Sequence, residues 1–274
     1  MTAARPTSAP RFPQANVHPD AQLGEGVDIS PYVTVEADVV IGDGCRIGPN
    51  AVVLAGTRLG AHCTVHAGAV VGGIPQDLKF DGEYSTLEIG DHTSIREFCT
   101  INRGTAAAGT TKVGSHCLLM AYVHVAHDCV VGDHVVLANN VNLAGHVEVG
   151  DHAVLGGLAA VHQFVKIGRH VMLGGGSLLR KDVPPYVTAA REPVRFVGVN
   201  KTGLERRGFS AETIAQISRA YRILFAPGFS RPEALDLIAR DLPATAERAA
   251  IVDFVNGASR GIIRGPKHYA NGED

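Results

Sequence analysis

The chain has 274 residues, a formal net charge of −2, no tryptophan and 32 glycines. Near-neutral charge excludes a globally basic surface for nucleic acid, and no stretch approaches the ~20 apolar residues of a membrane span. With aromatics at only 5%, the composition suits stacked turns better than an aromatic-centred core.

Residues 1–15 hold Arg and Pro but no hydrophobic segment. They read as a disordered N-terminal extension, not a secretory signal, which makes the cytoplasm the default location. From Val17 to Leu179, every sixth residue is Leu, Ile or Val at 25 of 28 positions, the exceptions being Asp77, Glu83 and Ala107. Six residues are too few for a helix-containing repeat. They fit a short strand plus a corner, with the branched aliphatic inward and Gly, Asn or Asp at the turn. Three such sides close an 18-residue coil, coils stack at ~4.8 Å, and residues 17 to about 183 make roughly nine coils of a parallel β-helix.

The period fails near 73–86 and again near 102–112, and loops thrown out of a regular scaffold are where binding groups are usually carried. It ends at the Asp182-Val-Pro-Pro185 segment. Asn200 to Arg207 reads as a polar, basic connector. Helical signals follow: Ser210 as N-cap before Ile214, Ile217, Tyr221, Leu224 and Phe225, then Ser230 with Glu233 as a capping box before Leu235, Ile238 and Leu242. A last helix is expected from about Ala244 to Asn256, ended by Gly257. The fold class is therefore mainly β, a hexapeptide-repeat β-helix over 16–190 with a C-terminal α-helical domain over 191–274. Flat side faces of such stacks favour a homo-oligomer.

The repeat also sorts the reactive residues. All five cysteines lie four residues after an anchor, a phase held mostly by small residues, so they read as buried hydrophobes and not nucleophiles. Seven of the 13 histidines (His62, His92, His116, His134, His146, His152 and His170) fall three residues after an anchor, at corners. His124, His127 and His162 do not. The 18-residue step puts His127, Gly145-His146 and His162-Gln163 on one edge of successive coils, with Asp128 under His146. A histidine oriented by a carboxylate on a rigid scaffold is the arrangement of a general base, and Gly145 offers a backbone N–H as oxyanion donor. Clustered histidines also suit zinc, as in a hexapeptide carbonic anhydrase-like lyase, although no third histidine matches His124 and His127.

Seven segments carry a resemblance: IPQDLKFDGE at 74–83, INRGT at 101–105, LLMAYVHVAHDCVVGD at 118–133, LANNVNLAGHVEVGD at 137–151, AVHQFVKIG at 160–168, DVPPYV at 182–187 and GLERRGFS at 203–210. Together they resemble the bacterial UDP-N-acetylglucosamine acyltransferases of lipid A biosynthesis, over nearly the whole chain from Val17. The resemblance implies a homotrimer of left-handed parallel β-helices with sites between subunits. It implies transfer of an (R)-3-hydroxyacyl group from acyl carrier protein to the 3-hydroxyl of UDP-N-acetylglucosamine. No metal or bound cofactor is implied, since the acyl donor rides on the carrier's phosphopantetheine.

By motif match, His127 would be the catalytic base, supported by Asp128, and Gly145 the oxyanion donor. Gln76, Asp77, Lys79, His124, His146, Gln163, Asn200, Arg206 and Arg207 would contact substrate, the arginines suiting a diphosphate. His162 would lie near the pantetheine path, and Gly175 would leave room for a longer acyl chain. Departures from the family pattern are Asn102 in place of a histidine, Thr202 in place of a glutamate that helps hold the uridine side, and a second loop one residue shorter. Related enzymes acylate a 3-amino sugar, which stands as the alternative acceptor.

Overall fold

A computed structural model describes residues 12–266. Most of the expected N-terminal extension lies outside the described residues, but the expectation is corrected for residues 12–15. Phe12 and Ala15 pack partly buried against the core, and the Gln14 carbonyl accepts from the Tyr32 N–H at 2.8 Å.

Strands of mostly two residues build three sheets around a filled interior. Sheet one has nine strands, from Asn16–Val17 to Leu178–Leu179; sheet two has eight, from Gln22–Leu23 to Lys166–Ile167; sheet three has ten, from Asp28–Ile29 to Arg195–Val199. Within the coils neighbouring strands are parallel, and away from the two loops they are 18 residues apart, as in Asn16 opposite Thr34 and His124 opposite Asn142. The two-residue strands end on the hexad's aliphatic residue, and Leu119, Leu137, Leu143 and Leu155 are fully buried. The five cysteines are free and buried at the inward small-residue positions.

Turning a corner within the hexad requires one residue in the left-handed region, which is costly for most side chains and cheaper for Gly, Asn, Asp and His. Asp38, His62, Asn140, His146 and His152 all have φ between +54° and +62°. The corner histidines follow from this. Six of the seven expected there form one column on the edge between sheets two and three: His62, His92, His116, His134, His152 and His170 stack at 4.7–5.0 Å. His146 turns a different edge.

The two interruptions preserve phase because of their lengths. Val70 pairs with Thr100 and Thr100 with His124. Separations of 30 and 24 instead of 18 mean insertions of 12 and six residues. These hold two and one hexad positions, which accounts for the three anchor exceptions. Strand structure persists to Gly73 and Asn102 and resumes at Thr86 and Thr110, so each loop is shorter than the sequence suggests.

Beyond the last coil, Val187–Ala190 extends sheet three and pairs antiparallel with Arg195–Val199. The boundary expected at 190/191 therefore falls inside this hairpin. The expected connector is a short helix, α1 (Lys201–Arg206), N-capped by Asn200. Three longer helices follow: α2 (Ala211–Leu224), α3 (Arg231–Asp241) and α4 (Ala246–Asn256). Ser210 caps α2 and the Ser230–Glu233 capping box opens α3, as their sequences require. Gly257 closes α4 with φ −83°, as its C-cap and not as a left-handed glycine. The fully buried Tyr221 of α2 donates its hydroxyl to the Pro185 carbonyl at 2.6 Å, fastening the helices to the prism. No helix among the described residues is long and apolar enough to cross a membrane.

Because Leu137 is enclosed between Leu119 and Leu155 of adjacent coils, Leu137→Ala should cost about 2–5 kcal/mol. Urea unfolding measures this, and a loss below about 0.5 kcal/mol would show that the coils relax around the gap.

Candidate active site

The edge between sheets one and two is where both loops leave the prism, and it carries the densest polar chemistry. Asp128 occupies the left-handed corner there, with φ +59°, and its side chain is fully enclosed. A buried carboxylate needs donors, and it has several. Thr105 gives its backbone N–H to Oδ1 at 2.9 Å and its hydroxyl to Oδ2 at 2.7 Å. His127 Nδ1 lies 2.7 Å from Oδ2, and His146 Nε2 is 3.6 Å from the same oxygen. The Asp128 N–H donates to the Thr111 hydroxyl at 2.8 Å. Burial alone would push the Asp128 carboxyl up, but the hydrogen bonds from His127 and from the Thr105 N–H and hydroxyl, with the nearby His146, hold it below the usual range.

The ionised carboxylate fixes the His127 tautomer. Nδ1 carries the proton toward Asp128, leaving the Nε2 lone pair free. The ring's Nε2 edge lies against Gly145, where any β-carbon would come within 2.7 Å of it. Gly145 is buried, and among the described residues its N–H meets no acceptor. A base lone pair and an unspent amide donor thus sit side by side. His146 closes the cluster edge-on to His127, with centroids 5.2 Å apart, and stacks on Phe164 at 4.5 Å.

One coil further, His162 and Gln163 are exposed on the same edge. His124 faces outward from sheet one, half-buried, with Nδ1 2.8 Å from the Thr100 hydroxyl, and burial draws its pKa down. The first loop carries Gln76, Asp77 and Lys79 out from this edge, with Asp77 folded back onto the Lys79 N–H at 3.0 Å. Glu83 clasps the two loops by accepting from the Ala106 and Asp81 N–H groups at 2.9 Å each.

The other expected residues are not brought here within one chain. Asn200 donates to the His170 carbonyl and Arg207 to the His152 carbonyl, each at 3.0 Å, which places them on the edge between sheets two and three. Arg206 lies exposed in α1 beside them. Gly175 sits on the third edge, where a β-carbon would meet the Gly157 carbonyl at 3.0 Å. Sequence reasoning also missed Thr105 and Thr111, the two threonines that seat Asp128. Thr111 had a usable signal: it is polar at an inward position.

His127, Asp128 and His146 also have their ligand atoms within 4.8 Å of one another, a spacing that could hold a metal ion. His124, which the spacing had paired with His127 for zinc, is not in that set. Asp128 Oδ2, the oxygen nearest both histidines, already accepts from the Thr105 hydroxyl and faces His127 Nδ1, so an ion there would have to displace one of them. This donor set fits a proton relay better than a metal centre.

A hexapeptide-repeat prism with a histidine–carboxylate pair beside a free backbone donor belongs to the class of hexapeptide transferases. The bacterial transferase hexapeptide model matches residues 38–73 and 110–145, and the model of UDP-N-acetylglucosamine O-acyltransferase domain 2 matches residues 182–263. The chain is 47% identical over 253 residues to an O-acyltransferase of Thiobacillus denitrificans named for acyl carrier protein and UDP-N-acetylglucosamine, covering 92% of this chain and 98% of that one. The enzyme of the same name from Chlorobaculum tepidum is 64% identical over 235 residues, covering 85% and 89%. The crystal structure of the UDP-N-acetylglucosamine acyltransferase from Bacteroides fragilis superposes with a TM-score of 0.91 at 48% identity, over 92% of this chain and 99% of that one. The chain belongs to the UDP-N-acetylglucosamine O-acyltransferase family. None of these relatives bears the name of a lyase, and the zinc lyase reading is set aside.

The depressed Asp128 pKa has a stability consequence of definite sign. Its stabilisation is complete above the unfolded value of ~3.9 and is lost as pH falls through the folded one. Thr105→Val should lower unfolding free energy by about 1–3 kcal/mol at pH 7, with the gap closing as pH drops below about 4. Urea titrations at both pH values test this, and a pH-independent gap would deny the charge-linked role.

Proposed function

We propose that this chain transfers an (R)-3-hydroxyacyl group from acyl carrier protein to the 3-hydroxyl of UDP-N-acetylglucosamine in lipid A biosynthesis, a reaction of the cytoplasm. The observation that carries the reading is the Thr105–Asp128–His127 relay ending beside the unspent Gly145 N–H. His127 Nε2 takes the proton of the sugar hydroxyl as its oxygen attacks the thioester carbon. The oxyanion that forms is met by the Gly145 N–H. Collapse breaks the carbon–sulfur bond, and the proton on Nε2 passes to the departing phosphopantetheine thiolate. An ester forms, a thioester breaks, and the base is regenerated with no cofactor of the enzyme's own.

The relatives' names, all O-acyltransferases, support the hydroxyl acceptor over the 3-amino sugar. In this reading Gln76, Asp77 and Lys79 close over the sugar nucleotide, with His124, His146 and Gln163 along its path.

Asn200, Arg206, Arg207 and Gly175 can reach the same substrate only from other copies of the chain. This supports a homotrimer in which sheet one of one copy packs against sheet three of the next, so that the His127 edge meets the neighbour's α1 edge. The third edge supplies the apolar surface for the axis. Tyr32, Phe98, Tyr122 and Leu158 are exposed there, and Phe98 stacks on Tyr122 at 5.4 Å.

His127→Ala should fold and assemble like the parent yet lose acyl transfer by about 10²–10⁴-fold; near-parental turnover would overturn the base assignment. Sedimentation should give three chains per particle. Tyr122→Glu should lower that number and remove activity with it, whereas an active monomer would reject the shared site. Mass spectrometry of products from UDP-N-acetylglucosamine and its 3-amino analogue should show the ester.

A further inference from the structure

His162 stands one coil beyond Gly145, its N–H bonded to the Leu179 carbonyl at 2.9 Å. Its Nδ1 has two neighbours that make opposite demands. The Gln163 carbonyl, 3.1 Å away, can only accept, so it needs a proton on Nδ1. The Arg260 guanidinium, with Nη2 also 3.1 Å away, can only donate, so it needs Nδ1 bare. One imidazole cannot satisfy both. Of the two contacts the one from the charged guanidinium is charge-assisted and the stronger. Nδ1 is therefore the acceptor, and the ring's single proton resides on Nε2.

Arg260 is far from His162 in sequence, yet its backbone is firmly held. The Lys181 ammonium donates to the Arg260 carbonyl at 2.7 Å. The Asp182 N–H donates to the Gly261 carbonyl at 3.0 Å, and the Ile263 N–H to the Asp182 carbonyl at 2.9 Å. Bridges between Asp182 and Ile262 and between Arg195 and Arg264 continue the attachment. Asp182 itself is completely buried, with its carboxylate accepting from the Lys166 N–H at 2.9 Å. The segment after α4 is thus joined to the end of the prism, and one result is to present Arg260 to His162.

We propose that Arg260 is a positioning residue that locks His162 as an Nε2–H donor on the acyl-donor side of the site. The proton so displayed requires an acceptor, and the amide carbonyls of a pantetheine arm are acceptors of the right kind. The kinetic half of the proposal rests on the acyl-transfer reading above; the tautomer half does not.

The test uses the full-length protein in its native assembly, labelled with ¹⁵N-histidine. Two-bond proton–nitrogen spectra report the tautomer, and the His162 signals are identified by their loss in His162→Gln. The parent should show the Nε2–H pattern at His162. Arg260→Met should move it to the Nδ1–H pattern facing Gln163, and Arg260→Lys, which keeps a cationic donor, should restore it. In steady-state assays Arg260→Met should raise KM for the acyl-carrier thioester about tenfold, the worth of one hydrogen bond. KM for UDP-N-acetylglucosamine should stay within about twofold. An Nδ1–H pattern in the parent, or no tautomer change in Arg260→Met, overturns the proposal. A tautomer change with both KM values unmoved overturns its donor-side role. Failure of the parent to transfer acyl groups from any carrier thioester would instead refute the function assigned above, leaving the tautomer result to be read separately.

Discussion

The structure depends on the backbone ladder between coils. Each N–H on a strand needs a carbonyl in the next coil, at strand spacing, so every coil must return to the same heading after the same number of residues. The left-handed corner is the local cost of that return. Most corners meet it with Gly, Asn, Asp or His, although Tyr32, Phe98, Tyr122, Leu158 and Phe164 bear it too. Aspartate and histidine, which tolerate the conformation, are also the residues that move protons. At Asp128 the scaffold's requirement and the chemistry's requirement fall on the same position. Asp128 holds the strained corner and, with its carboxylate enclosed, orients the neighbouring ring.

The histidine column shows the same residue type serving the scaffold alone. Its upper end stacks His170 on Tyr186 at 5.6 Å, with Phe209 edge-on at 5.1 Å. Burial holds the His170 pKa down at about 4, so the end of the column stays neutral at physiological pH. α1 is fixed to this edge through Asn200 and Arg207, which spend donors on the carbonyls of His170 and His152. These two residues therefore have a structural duty in every copy, and any substrate contact comes in addition to it.

Much of this was legible in the sequence. The hexad yields the sheets, the inward cysteines, the edge shared by His127, Gly145 and His162, and the helix caps at Ser210 and Ser230. What stayed hidden has physical reasons. Thr105 reaches Asp128 only because the second loop folds back over the edge, and no periodicity describes a loop. Arg260 approaches His162 through a C-terminal segment with no repeat and no cap. The α1 helix escaped because it is six residues long and contains Gly203, which weakens any helical signal. Asn200, Arg206, Arg207 and Gly175 were matched to one site by resemblance, while the fold distributes them over different edges.

The insertion lengths of 12 and six residues carry a last consequence. The prism behaves like a message read in words of six letters. Whole words can be added at a corner without changing the meaning of anything downstream. A gain or loss of one residue inside a coil would turn every later aliphatic out of the interior until the frame is restored. A loop that leaves and rejoins the prism at one corner is free of that rule, so its length can change while the edge that holds His127 stays where it is. The grammar of the scaffold thus spares the edge and leaves variation to the loops.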